Sequence, residues 1–210
     1  SVHCVKNYVD IMDNVEIEKI VTEGVPVDLP TVLLVAADIT NPFKGMHTAL
    51  AALHKIRAMK FRVVIVGEPF SDEVLAKYGL EEKVVQLGRI NNRQDMYSIY
   101  AGSTVTVVPS QAESFSLVSA ESLFCGTPVV ASNVAALPEL VFNGKTGFLA
   151  EEGNPDDFAA QISRLLSMDY SEYDQLRSTV KDFAKNNLVD LESWLNTYES
   201  IYNKAITQHC

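Results

Sequence analysis

Cysteine is scarce in this chain: Cys4, Cys125 and Cys210 are odd in number and widely spaced. That excludes a disulfide framework and offers no paired metal-ligand spacing, so the thiols are expected to be reduced, as in the cytoplasm. Histidine is as thinly spread. His3, His47, His54 and His209 form no recognisable ligand set, and no metal site is expected. Basic residues are in deficit, 17 Lys and Arg against 27 Asp and Glu, for a formal net charge of -10. A phosphate-tracking surface needs clustered positive charge, so nucleic acid is excluded as a partner. No stretch is apolar for long enough to span a bilayer, and residues 1–14 carry no secretory signal pattern. The chain is expected to be soluble. It starts without an initiator Met and is expected to be a piece of something longer.

What is present is ample apolar material. With 210 residues, 47% of them hydrophobic, the chain can bury a core without disulfide or metal. Short β-branched runs alternate with segments of helical period, which is the pattern of an α/β fold: a Rossmann-like parallel sheet with helices on both faces. The predicted strands are residues 32–37, 62–66, 84–87, 105–108 and 128–131, almost continuously apolar, as doubly covered strands must be. The predicted helices are residues 45–59, 71–78, 93–101 and 116–124.

Beyond the fifth strand the pattern changes. Asn143, Gly144 and Gly147 mark a tight turn in residues 142–149, read as a small hairpin. From Pro155 onward the chain reads as helix, with stripes at Phe158, Ile162, Leu165 and Leu166, then at Tyr173, Leu176, Val180 and Phe183. A last stripe runs through Leu191, Trp194, Leu195, Tyr198, Ile201 and Tyr202. That final face either docks on its own domain or continues onto a second one.

In an open parallel sheet, ligands bind beyond the carboxyl ends of the strands. Three loops there carry chemistry. The first, residues 38–45, runs from Asp38 to Lys44 at the start of a helix, where a cation opposes the helix dipole unless an anion is present. A diphosphate resolves that conflict, because ammonium and helix end then face the same negative charge. Taken alone, the loop reads more simply as a solvated Lys beside a turn.

The second loop, residues 109–117, leads into a helix whose first amides, at Ser116, Leu117 and Val118, have no intrahelical partner and suit a phosphate. Glu121, a little over a turn further in, can accept both hydroxyls of a ribose. Glu113, still in the loop, stands on the other side of the phosphate, where sugar hydroxyls belong. The plainer alternative makes Glu113 a helix cap and Glu121 surface charge. In the third loop Gly88 permits close backbone approach, and amides around Gly88, Arg89 and Ile90 can meet a flat base. A turn glycine equally needs no ligand.

Together these segments resemble the C-terminal domain of family-four retaining glycosyltransferases, one half of a GT-B fold. The likeness runs from about Val32 to about Ser167. It is densest from Val107-Val108-Pro109-Ser110 through Glu113-Ser114-Phe115 and Ala120-Glu121-Ser122 to Gly126-Thr127-Pro128-Val129-Val130-Ala131-Ser132 and Leu137-Pro138-Glu139. Two glutamates seven residues apart are common, but not within this frame.

The resemblance implies a donor site for a nucleotide sugar of unspecified base. Glu113 would lie beside the transferred sugar, Glu121 would hold the ribose, and the amides from Phe115 to Val118 would bind sugar and phosphate. Lys44 would neutralise the diphosphate leaving group, with no metal cofactor. Two positions depart from the pattern. Many relatives place Arg where Asp38 stands, which costs the diphosphate one cation, and many have Gly where Ser116 stands.

The resemblance also implies a domain plan. Residues 1–31 read as an interdomain junction, with Asn7-Tyr8-Val9-Asp10 echoing an Asn-Gly-Val-Asp segment of relatives. Residues 32–187 form the nucleotide-sugar-binding domain, and residues 188–210 a C-terminal helix that packs on the missing N-terminal acceptor-binding domain or on its own. The intact protein is expected to transfer sugar to an acceptor hydroxyl, and this chain alone to be inactive. Membrane association, if any, would be peripheral and come from the missing half. An epimerase, a phosphorylase or a non-catalytic partner subunit of the same fold are the rival readings.

Overall fold

A computed structural model describes residues 29–188 and 191–207, the side chains of residues 191–194 excepted. The junction-like segment around Asn7 and the cysteines Cys4 and Cys210 lie outside the described residues. Six strands build one sheet: β1 (Thr31–Ala36), β2 (Arg62–Gly67), β3 (Val84–Gly88), β4 (Val105–Val108), β5 (Val129–Ser132) and β6 (Gly147–Ala150). Every pairing is parallel and the order is β3-β2-β1-β4-β5-β6. This is the doubly wound order of Rossmann folds. After β3 the chain returns to the middle of the sheet, so the helices that follow adjacent β1 and β4 cover opposite faces, α1 beside α5 and α4 beside α3.

The helices are α1 (Met46–Lys55), α2 (Asp72–Tyr78), α3 (Arg93–Ala101), α4 (Leu117–Phe124), α5 (Pro155–Leu166), α6 (Tyr170–Asn187) and α7 (Leu191–Thr207). Side chains of a strand alternate between faces, and the core divides accordingly. Val32, Leu34 and Ala36 of β1, with Val63 and Ile65 of β2, pack against Ala49, Leu50 and Leu53 of α1. Leu33, Val64 and Val66 face the other way, toward Tyr97, Tyr100 and Cys125. Central strands β2, β4 and β5 are buried throughout, whereas β3, at the edge, is only partly covered.

Local chemistry sets the helix boundaries. Asn154 caps α5 ahead of Pro155, and Asp169 and Glu172 form a reciprocal capping box that opens α6. α1 ends at Lys55, four residues short of the predicted end, because Ile56 departs from helical geometry and its amide bonds back to Leu53 O. The predicted hairpin in residues 142–149 is not formed. Those residues make a tight turn and then the sixth parallel strand, paired with β5.

Two features account for that correction. The segment before the turn is a 3-10 turn, Leu137–Glu139, and not a strand that could pair back. Gly147, at φ 149°, lies so close to β5 that a Cβ would fall 1.8 Å from Val129 O. Only glycine enters the sheet at that spacing. Among the described residues no helix is long and apolar enough to cross a membrane.

Candidate functional site

The loops leaving β1 and β4 meet at the point where the strand order reverses. In the first, Asp38 Oδ1 accepts hydrogen bonds from Thr40 N at 2.8 Å, Thr40 Oγ1 at 2.6 Å and Asn41 N at 3.2 Å. Asn41 then caps the 3-10 turn Pro42–Lys44 by accepting from Phe43 N at 3.0 Å. Gly45 follows with φ 63° and starts α1 without any side-chain cap.

Gly45 is also where the loops touch, since a Cβ there would lie 1.9 Å from Pro109 O. Beside it Gln111 N donates to Phe43 O at 2.8 Å. Lys44 Nζ donates to Glu113 Oε1 at 2.8 Å, and Ser110 Oγ donates to the same oxygen at 3.0 Å. Glu113 is largely enclosed, its side chain 15% exposed, while Lys44 keeps 40% exposure and with it donors for a further anion.

The second loop ends at Ser116, which holds φ 73° and ψ 81°. For a residue with a Cβ this left-handed conformation costs about 1–3 kcal/mol. Its hydroxyl repays part of the strain locally, accepting from Ser119 N at 3.3 Å and lying 2.8 Å from Ser119 Oγ. The amides of Phe115, Ser116, Leu117 and Val118 have no acceptor among the described residues. Four such donors stand at the mouth of a helix, next to a Lys–Glu pair, and donors in that setting are chemically suited to an anion.

Glu121 lies on α4, but its carboxylate bonds to neither Lys44 nor Glu113. It turns toward α3, where Oε2 accepts from Tyr100 Oη at 3.1 Å. Burial raises the Glu121 carboxyl above its ordinary value, opposed by the Tyr100 hydrogen bond and the Arg93 guanidinium. The same burial, with Glu121 adjacent, lifts the Tyr100 phenol well above its usual range and the Cys125 thiol to about 12.

At the third loop Gly88 has φ 68°, and no atom lies within 4 Å of where its Cβ would be. The backbone conformation accounts for this glycine, and among the described residues none crowds the space above it. Arg89 reaches back across the sheet end, Nη2 donating to Ala37 O at 3.3 Å. Ile90 turns inward against the cluster of Tyr97 and Tyr100. The Asp38 carboxyl is lowered from its ordinary value, first by the Thr40 hydroxyl, with Arg89 adding to the effect. Asp38 therefore serves its own turn.

Sequence reasoning did not single out Tyr100, Ser110 or the Gly45–Pro109 contact. Tyr97 and Tyr100 on the inner face of α3 carried one usable signal, because buried phenols need hydrogen-bond partners. Nothing in the sequence names the partner.

An open, all-parallel sheet in this strand order defines a Rossmann-like class of domain. Residues 30–168 match the family described as Glycosyl transferases group 1, and the chain belongs to that family. It is 35% identical over 157 residues to D-inositol 3-phosphate glycosyltransferase of Acidothermus cellulolyticus, covering 68% of this chain and 35% of that protein. It is 30% identical over 165 residues to an uncharacterized glycosyltransferase of Methanocaldococcus jannaschii, covering 76% of this chain and 41% of that one.

Among solved structures, sucrose-phosphate synthase from Thermosynechococcus elongatus superposes with a TM-score of 0.77 at 28% identity, over 88% of this chain and 47% of the other. Anabaena HepE in complex with UDP-glucose gives 0.72 at 23% identity, over 84% and 49%, and shares the fold. The chain thus spans about a third of the first of these relatives and about half of the solved structures. It is a C-terminal domain of the family-four, GT-B type.

Proposed function

We propose that this domain holds the donor of a glycosyltransferase that moves a sugar from a nucleotide diphosphate to an acceptor hydroxyl with retention of configuration. The bond from the sugar's anomeric carbon to the diphosphate breaks, and the bond to the acceptor oxygen forms on the same face. The observation that carries the reading is the Lys44–Glu113 pair, 2.8 Å apart, beside four amides at the start of α4 that have no acceptor among the described residues. Lys44 and those amides face the diphosphate, so charge on the leaving group is met by fixed donors and no metal is required. Glu113 orients the transferred sugar, Glu121 takes the ribose, and the backbone from Gly88 through Arg89 to Ile90 receives the base.

A second, acceptor-binding domain completes the cleft, and the exposed apolar face of α7 packs on it. Exposed Leu195, Tyr202 and Ile206 on α7 support that placement. Any membrane contact is peripheral and belongs to the second domain. The free, buried thiol of Cys125 suits a reducing cytoplasm.

Calorimetry with uridine, guanosine and adenosine diphosphates tests the reading. One of them is expected to bind the chain without added metal. No binding by any at millimolar concentration rejects it.

A further inference from the structure

The buried face between α3 and α4 holds a polar contact that the donor site alone does not explain. Tyr100 is 0% exposed, enclosed by Leu33, Val64, Tyr97 and Cys125, in surroundings where a phenol needs a partner. Its hydroxyl donates to Glu121 Oε2 at 3.1 Å. The other carboxylate oxygen, Oε1, accepts no hydrogen bond from any described residue.

Tyr100 is itself held from two directions. Thr127 Oγ1, at the turn between α4 and β5, donates to its carbonyl at 2.7 Å. Arg177 of α6 bridges the same turn to the end of α3, donating to Gly126 O and to Ala101 O, each at 3.2 Å. The phenol therefore has a fixed origin, and so does the carboxylate it grips. A carboxylate offers about four lone-pair sites. With one taken by Tyr100, those left on both oxygens remain for two donors arriving together, which is the demand of a vicinal diol.

We infer that Tyr100 is a positioning residue, which locks the Glu121 carboxylate in the orientation that receives both hydroxyls of a nucleotide ribose. The inference rests on the donor-site reading. Tyr100 touches no ligand; it acts through Glu121, removing the rotamer freedom the carboxylate would otherwise lose on binding.

The test is calorimetry on the chain with whichever of uridine, guanosine or adenosine diphosphate binds, each against its 2′-deoxy counterpart. The wild type is expected to prefer the ribose form by about tenfold or more, as a hydroxyl donating to a charged acceptor warrants. Tyr100→Phe keeps the ring and is expected to erase most of that preference while leaving the deoxy affinity nearly unchanged. In a Glu121→Gln background the same change is expected to add little further loss.

Tyr100→Phe that retains the full preference overturns the positioning role alone, as does an equal loss for both ligands. Absence of binding by the wild type overturns the donor site as well. Should Tyr100→Phe not fold, 3-fluorotyrosine at position 100 carries the test: its fluorine resonance is expected to move with the ribose ligand and not with the deoxy one. Equal movement with both overturns the role.

Discussion

Gly45 sits directly beneath the carbonyl of Pro109, leaving 1.9 Å where a Cβ would meet that oxygen. The glycine also holds φ 63°, so two independent constraints fall on one residue. Gly45→Ala is expected to lose about 1–2 kcal/mol from the left-handed backbone alone and more from the clash, at least about 2 kcal/mol in all. Urea denaturation measures this. Nucleotide affinity should fall with it, because the displacement opens the gap between Lys44 and Glu113.

Lys44 is the more exposed partner of its pair with Glu113, and without it the Glu113 carboxylate keeps the Ser110 hydroxyl as a donor, so the pair adds only modestly to stability. Lys44→Ala is expected to shift the unfolding midpoint only slightly yet to weaken nucleoside diphosphate binding by about 1.5–3 kcal/mol, as loss of a charge-assisted contact does. Thermal unfolding checks the first half, and isothermal calorimetry at two salt concentrations the second. A steep salt dependence in the wild type and a shallow one in the variant is the expected pattern.

Ser116 gives a signed comparison. Ser116→Gly removes the left-handed strain and, by the usual cost of a Gly cap, loses only a few tenths of a kcal/mol, for a net gain of about 1 kcal/mol. Ser116→Ala keeps the strain and loses the cap, a net loss of about 1 kcal/mol. Thermal unfolding of the three proteins should rank Gly, Ser, Ala.

Glu121 is expected to leave a mark on pH dependence. Its carboxyl is raised in the fold by burial, against Tyr100 and Arg93, with Tyr97 and Cys125 also close. A raised carboxyl binds its proton more tightly folded than unfolded, so its contribution favours folding at low pH. That contribution fades as pH rises from the ordinary glutamate value of 4.5 through the higher folded value. Glu121→Gln should flatten this slope in melting temperature against pH. Ribose binding needs the ionised form, so the affinity difference between wild type and variant should shrink on acidification, with a midpoint above 4.5.

Much of this architecture was readable from the sequence, because buried parallel strands must be apolar on both faces. β1 to β5 and α2 to α4 fall within a residue or so of the expected bounds, and the three loops lie where the doubly wound order puts them. β6 was missed for a physical reason. Gly147-Phe148-Leu149-Ala150 is short and follows an Asn-Gly pair, so local turn chemistry spoke louder than pairing with a distant β5.

At the site, the contact between Lys44 and Glu113 could be expected once both were placed at strand ends. The partner of Glu121 could not. Tyr100 and Glu121 are 21 residues apart on different helices, and only the packing of α3 on α4 makes them neighbours. The left-handed backbone of Ser116 has no signature in serine itself, and its one signal is the Gly that many relatives carry there.

The clasp between the two central loops has a bearing on how the hollow meets its guest. Phe43, Lys44 and Gly45 are each fastened to the loop beyond β4, by a hydrogen bond from the Gln111 amide, an ion pair and a steric fit. Neither wall can shift without carrying its neighbour along. Folding has already ordered the donors, and an arriving anion finds its receptor set in advance instead of having to gather it.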